Sequence, residues 1–148
     1  MFVRTADQSD ALPVRRILDG AMLEPGDVEA RIDATDVFVA GDYRRSSGET
    51  TADGATAVPD ERLLGAVVLE PRESGAHVSA IGVRRRHRGQ GIGTALFERA
   101  LERERRLTAR FDDDVRPFYD ALGFAIEPID ERRYRGVLTA IERGSVDD

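Results

Sequence analysis

The chain has 148 residues, of which 41% are hydrophobic, so it is long enough for one domain with a buried core. It contains no cysteine and only two histidines, His77 and His87, which excludes a disulfide framework or a thiolate metal site, and we expect no bound metal. No run of about 18 apolar residues occurs, and polar residues follow the N-terminus at once, so we expect a soluble cytoplasmic protein without membrane span or signal peptide.

The charge of the chain is unevenly distributed. The net charge is −6, and all 22 basic residues are arginine. Residues 84–110 hold nine arginines and three glutamates, a local balance of +6, which leaves −12 for the remainder. A basic segment on an acidic chain attracts an anionic ligand. Nucleic acid is not the expected ligand, because the chain as a whole is acidic and no aromatic residues alternate with the arginines. The lysine-free, acidic composition fits either halophilic adaptation or a GC-rich genome.

The first half of the chain alternates predicted strands and helices. Residues 2–4 are predicted as a strand, and Asp7, Ser9 or Asp10 can cap the helix that follows, with Pro13 tolerated in its first turn. Apolar residues at helical spacing mark the buried face of this helix: Val14, Ile17, Leu18, Ala21 and Met22. Further elements are predicted in this order: a short helix over residues 28–32 and strands over residues 37–40, 63–69 and 77–83. The continuous apolar run of 63–69 predicts burial on both faces of its sheet.

Residues 44–60 interrupt this pattern with small and polar side chains. They have almost nothing to bury that would offset the entropy cost of ordering, so we predict a mobile loop. A flap or a partner contact is the alternative for a loop of this length.

A glycine-rich loop follows the strand that ends at residue 83. Gly89, Gly91 and Gly93 alternate there, and an apolar helical pattern starts directly afterwards. Glycine lets the backbone approach a ligand, and free amides at a helix N-terminus favour an anion, so the loop is predicted to bind a phosphate. Thr94 stands where a dinucleotide-binding fingerprint needs glycine, and the absence of lysine excludes a Walker loop.

The second half of the chain begins with the helix after this loop. Its apolar side consists of Ala95, Leu96, Ala100, Leu101 and Leu107. The elements predicted after it are a strand over residues 107–111, a helix over residues 116–122, and a final strand pair over residues 124–129 and 134–141. Gly123 is a candidate C-cap for the second of these helices.

Two motifs resemble the GNAT superfamily of acyl-coenzyme A-dependent N-acyltransferases. Arg88-Gly89-Gln90-Gly91-Ile92-Gly93 is similar to its Arg/Gln-x-x-Gly-x-Gly/Ala signature. Residues 117–124, which read Pro-Phe-Tyr-Asp-Ala-Leu-Gly-Phe, are similar to its Phe/Leu-Tyr-x-x-x-Gly-Phe motif. The resemblance implies an α/β (α+β) fold in a single N-acetyltransferase domain over residues 1–148, with a central mixed, mostly antiparallel sheet flanked by about four helices.

The resemblance also implies a cosubstrate and a site. The cosubstrate is acetyl-coenzyme A, with its pyrophosphate on the glycine loop and its pantetheine arm along the end of the preceding strand. The implied contact residues are Ile81, Val83, Arg88, Gly89, Gln90, Gly91, Ile92, Gly93 and Thr94. A primary amine attacks the thioester directly, without a covalent enzyme intermediate, and Tyr119 protonates the departing thiolate as general acid. Asp112 stands where the family often carries an asparagine, seven residues before the tyrosine.

The base and the acceptor are less constrained by the sequence. His77 precedes the end of its strand and is expected to share a face with Ile81 by alternation, unless a bulge reverses it. His77 is the candidate base, with relayed water as the alternative. The acceptor is a small-molecule, peptide or protein amine, and exposed sheet edges allow a homodimer. Two other functions stay open: a non-catalytic acyl-coenzyme A sensor on the same fold, and an interaction protein whose arginines bind another anion, nucleic acid included.

Overall fold

The computed structural model describes residues 1–20, 27–44 and 60–139, which form one mixed sheet covered by helices. The elements run in the order β1 (Phe2–Thr5), α1 (Ala11–Gly20), α2 (Val28–Asp33), β2 (Val37–Arg44), β3 (Asp60–Arg72), β4 (Gly75–Val83), α3 (Ile92–Glu104), β5 (Arg106–Asp112), α4 (Arg116–Leu122), β6 (Ala125–Pro128) and β7 (Arg133–Thr139). The strands are ordered β1-β2-β3-β4-β5-β7-β6. Among them only β4 and β5 pair in parallel, so the prediction of a mixed, mostly antiparallel sheet with about four helices is confirmed.

A separate hydrophobic core lies on each face of the sheet. On one face α3 and α4 bury their apolar residues, with Phe97 at the centre of an aromatic group. On the other face α1 and α2 pack through side chains such as Val14, Leu18 and Val28. Strand β3 contributes to both cores, and every residue from Leu63 to Leu69 is buried, which confirms the reading of the continuous apolar run.

Short-range capping fixes the start of α1. A 3₁₀ turn precedes the helix, and Asp7 and Asp10 form a reciprocal capping box around it. The Ser9 amide donates to Asp7 at 2.9 Å, and the Asp7 amide donates to Asp10 at 2.8 Å. Arg4 then holds the buried Asp10 through both of its terminal nitrogens. Of the three candidate cap residues, Asp7 is thus the N-cap of the turn that leads into α1 and Asp10 completes its capping box, whereas the expected burial of Ala21 and Met22 concerns residues outside the described part.

Strands β4 and β5 separate soon after they meet. Their parallel pairing covers only Ala76 with Leu107 and His77 with Thr108, although β4 continues to Val83. An opening therefore widens between the two strands toward their C-terminal ends. Both strands end at the same edge of the sheet, because they are parallel, and the glycine loop leaves β4 at that edge.

Several predicted boundaries differ in the structure, and strands β2 and β3 are longer than predicted. Helix α3 ends at Glu104, because Arg105 adopts a left-handed conformation with φ 67°, so Leu107 belongs to β5 and not to the helix. The predicted mobile loop over residues 44–60 falls mostly on residues 45–59, outside the described part, whereas Arg44 and Asp60 pair as strand residues. In the described ranges, no helix is long and apolar enough to cross a membrane.

Candidate active site

The glycine loop opens directly onto the N-terminus of α3. Gly89 and Gly91 have φ values of 82° and 84°, which side chains other than glycine adopt only at a cost. A Cβ at either position would meet no atom within 4 Å, so these glycines serve the backbone turn and leave the space above the loop open. Gly91 is also the N-cap of the 13-residue helix α3, and its carbonyl accepts from the Ala95 amide at 3.0 Å. The arrangement presents unpaired helix amides and the positive end of a helix dipole to one open space.

The third glycine of the motif has a different role. A Cβ on Gly93 would lie 2.9 Å from two ring carbons of Phe118, so this glycine lets α4 pack closely on the first turn of α3. Ile92 beside it is buried, while Thr94 is half-buried. The contact brings the glycine loop and the Phe-Tyr motif together, since Phe118 directly precedes Tyr119.

Tyr119 is the buried member of an aromatic group beside the loop. It is 5% exposed, and its ring stacks on Phe111 of β5 with centroids 4.1 Å apart and an interplanar angle of 7°. Phe97 and Phe124 enclose it at 5.9 and 5.1 Å. Burial raises the pKa of Tyr119 to about 12. No described residue forms a hydrogen bond with the Tyr119 hydroxyl. Among the described residues, every side-chain nitrogen or oxygen that is fully buried has a hydrogen-bond partner. The Tyr119 hydroxyl is therefore not fully buried and reaches the surface.

His77 does not share a face with Ile81, and that expectation is wrong. In the pairing with β3, Val68 faces Ala80 and Leu69 faces Val78, so Ser79 is an extra residue in a β-bulge. The bulge reverses the alternation: Ala76, Val78, Ile81 and Val83 all belong to the core under α3, which places His77 on the opposite face of the sheet.

His77 lies at the closed end of the opening between β4 and β5. Its Nδ1 shares a hydrogen bond of 2.9 Å with Oγ1 of Thr108, its partner on β5. Burial lowers the pKa of His77, with further lowering by Arg72, Arg110 and Arg135 and an opposing effect of Glu70. The imidazole is therefore neutral at pH 7.

A cavity of about 320 Å³ lies beside the loop, and among the described residues arginines but no carboxylates line it. We call it the arginine cavity. It is lined by Arg16, Ile17, Arg62, Val83 and residues 84–88. Two of its arginines are fixed to the sheet. The Arg84 Nε donates to the Leu63 carbonyl at 2.8 Å, and the Arg88 Nε donates to the Val83 carbonyl at 3.0 Å. Sequence reasoning identified the basic segment but missed Arg16 and Arg62, because α1 and β3 bring them in from distant positions.

A second, larger groove of about 640 Å³ lies between the end of β5 and the β6–β7 turn, lined by residues 112–114 and 130–133. It carries five carboxylates and two arginines, all exposed. The Asp113 amide donates to the Arg132 carbonyl at 3.0 Å and joins the two segments. Asp112 is part of this groove.

Known proteins share the fold of this chain, and a family model matches the segment that carries both motifs. A family model described as an acetyltransferase (GNAT) domain matches residues 53–126, whereas no curated protein matches the sequence. A GNAT-family acetyltransferase from Listeria monocytogenes is similar with a TM-score of 0.63 and 15% identity, over 93% of this chain and 94% of that chain. A Mycobacterium tuberculosis protein in complex with coenzyme A has a TM-score of 0.66 and 17% identity, over 94% and 99% of the two chains.

N-acetylglutamate synthase from Neisseria gonorrhoeae, complexed with coenzyme A and N-acetyl-glutamate, is also similar. Its TM-score is 0.65 at 14% identity, over 90% of this chain and 34% of that chain. At these identities the likeness shows a shared fold. The family model matches half of the sequence and contains both motifs, so the chain belongs to the GNAT family of acetyltransferases and is an acyltransferase.

Proposed function

We propose that this chain is an N-acetyltransferase that transfers an acetyl group from acetyl-coenzyme A directly to a primary amine. The observation that carries the proposal is the glycine loop, with Gly89 and Gly91 at positive φ beneath open space and α3 behind them. Coenzyme A in the Mycobacterium tuberculosis and Neisseria gonorrhoeae structures supports the same cosubstrate for this chain.

The loop and the end of β4 are the proposed binding site for coenzyme A. Amides of Gly89, Gln90 and Gly91, with the positive end of the α3 dipole, suit the pyrophosphate. Residues 78–83 of β4 pair with β3 on one side and with no described strand on the other. Their peptide groups on the open side are therefore available to hydrogen-bond an extended pantetheine arm.

Tyr119 is the proposed general acid. In a direct transfer the amine nitrogen bonds to the thioester carbon, the carbon–sulfur bond breaks, and sulfur leaves as a thiolate that needs a proton. A pKa of about 12 keeps the Tyr119 hydroxyl protonated at neutral pH. Because no described residue accepts a hydrogen bond from this hydroxyl, its proton is available to the sulfur.

His77 is the proposed base that takes a proton from the ammonium of the acceptor, which frees the neutral amine to attack. Its lowered pKa keeps the imidazole neutral, which is the form that accepts a proton. It lies at the closed end of the β4–β5 opening, on the face of the sheet opposite to Tyr119. Positioning of the amine against the thioester supplies much of the rate in a reaction of this type.

Calorimetric titration with acetyl-coenzyme A tests the proposal, using Gly91→Glu and Gly91→Ala as a matched pair. Both variants meet the same positive φ and the same open space, so they share the backbone strain, but only glutamate adds a negative charge and bulk above the loop. We expect Gly91→Glu to abolish binding and Gly91→Ala to weaken it by a smaller factor.

Amines of different classes are then screened with the wild-type protein for release of free coenzyme A thiol. Turnover with any primary amine supports the proposal. A wild-type protein that binds no acetyl-coenzyme A at low or high salt contradicts it, as does equal binding by Gly91→Glu.

A further inference from the structure

We propose that the arginine cavity binds the 3′-phosphate of coenzyme A, with Arg16 of α1 and Arg62 of β3 as its specificity-determining side chains. The inference rests on the proposed function, since it names a second anion site for the same cosubstrate. It assigns a role to two arginines that lie outside the glycine motif.

The first argument is the charge of the cavity. Its six arginines are Arg16, Arg62, Arg84, Arg85, Arg86 and Arg88, and its lining contains no carboxylate. Among the described residues none of the six forms an ion pair, although arginines elsewhere do, such as Arg103 with Asp36 and Arg15 with Glu29. In a chain with more acidic than basic residues, a cavity that keeps its arginines unpaired is suited to a ligand with several negative charges.

The second argument is the state of the guanidinium groups. Arg84 and Arg88 each use the Nε proton on a backbone carbonyl, of Leu63 and Val83 respectively. These bonds orient the side chains and leave the terminal nitrogens of both guanidinium groups as donors. Arginine presents such donors in a planar fork that matches phosphate oxygens.

The third argument is the position of the cavity relative to the loop and to Tyr119. Arg88 lines the cavity and directly precedes Gly89, so the cavity adjoins the proposed pyrophosphate site. In coenzyme A the pyrophosphate and the 3′-phosphate are attached to one ribose, so a ligand held by the loop carries its 3′-phosphate into this neighbourhood. Arg84 is fixed to Leu63 on the β3 side of β4, whereas Tyr119 packs on Phe111 of β5. The cavity therefore lies on the side of β4 away from the proposed reacting end.

Arg16 and Arg62 separate this site from the loop in an experiment. Both side chains are exposed and neither lies in the loop or beside Tyr119, so glutamine at both positions removes charge while the folded core and the loop amides stay intact. The control is the double variant Arg105→Gln and Arg106→Gln, which removes the same charge at the far end of α3.

The experiment is calorimetric titration of the wild type, the double variant Arg16→Gln and Arg62→Gln, and the control variant with coenzyme A and with 3′-dephospho-coenzyme A. We expect the wild type and the control to prefer coenzyme A by about tenfold or more, as charge-assisted hydrogen bonds to one phosphate provide. The Arg16→Gln and Arg62→Gln variant should lose that preference and keep its affinity for 3′-dephospho-coenzyme A within about twofold.

Other outcomes overturn the inference in distinguishable ways. Equal wild-type affinity for the two ligands, or an equal loss of both in the double variant, shows that the cavity does not recognise the 3′-phosphate, while the proposed function survives. An undiminished preference in the double variant assigns the phosphate to other residues. Failure of the wild type to bind either ligand overturns the proposed function together with this inference.

Discussion

Alkaline unfolding of this protein is expected to depend on one phenol, that of Tyr119. Because the chain has no lysine and no cysteine, tyrosine is the only type of side chain that ordinarily titrates between pH 9 and 12. In the folded protein, burial raises the pKa of Tyr119 from its ordinary value of 10.0 to about 12. Unfolding exposes the phenol and returns its pKa to the ordinary value.

The sign and size of the effect follow from proton linkage. Between pH 10 and 12 the folded protein keeps a proton that the unfolded chain has released, so stability falls as pH rises. The contribution of the buried, protonated Tyr119 phenol to the free energy of unfolding is fully present below pH 10 and is lost as pH rises through the folded pKa of about 12. Two pKa units correspond to about 3 kcal/mol, a large part of the stability of a domain of this size.

The assay is the free energy of unfolding in urea, measured from pH 8 to pH 12 for the wild type, Tyr119→Phe and the control Tyr43→Phe, whose tyrosine is 61% exposed. The wild type and the control should lose about 2 kcal/mol by pH 12, where the folded phenol is only half ionised, and Tyr119→Phe should lose far less. Near-ultraviolet absorbance of tyrosinate follows the same titration. Equal losses in the wild type and Tyr119→Phe would refute the argument from burial.

Three further predictions concern the site. Tyr119→Phe should lower turnover about 10²-fold or more while leaving the affinity for acetyl-coenzyme A unchanged, which initial rates and calorimetry measure, and unchanged turnover would remove the acid role. Gly93→Ala should destabilise the fold by about 1–3 kcal/mol, because its Cβ would lie 2.9 Å from the Phe118 ring; an unchanged melting temperature would contradict that packing. The wild type should lose activity in acid as His77 becomes protonated, at a pH below the ordinary histidine range, and His77→Gln should lower kcat and lack this decline; an identical pH profile would exclude His77 as the base.

The sequence predicted well those elements whose ends carry residues with a strong local preference, such as proline in the first turn of a helix or glycine after its last turn. Helix α4 was predicted over residues 116–122 and is found as Arg116–Leu122, because Pro117 favours its first turn and Gly123 adopts a left-handed C-cap with φ 92°. The capping residues of α1 and the two-sided burial of β3 were predicted on the same basis. Each of these signals acts within a few residues of the chain.

Features that depend on pairing or on distant segments could not be predicted. Helix α3 ends because Arg105 adopts a left-handed conformation, which is usual for glycine and which the sequence does not indicate at an arginine. The sequence therefore placed Leu107 both in this helix and in the following strand, and only the strand is correct. Arg16 and Arg62 join the arginine cavity only because α1 and β3 converge on the end of β4. The sequence around each of these arginines looks like an ordinary solvated surface.

The bulge at Ser79 has the largest functional consequence of these features. Without it His77 and Ile81 would share a face of β4, and the proposed acid and base would both lie on the side of α3. With it, Tyr119 and His77 lie on opposite faces of the sheet, and the opening between β4 and β5 passes between them. In a direct transfer the amine nitrogen adds to the thioester carbon, and the carbon–sulfur bond then breaks in the tetrahedral intermediate. One proton is removed at the nitrogen and another is supplied at the sulfur. Because these are different atoms of one intermediate, an acid and a base that reach the opening from opposite faces of the sheet can act on them separately.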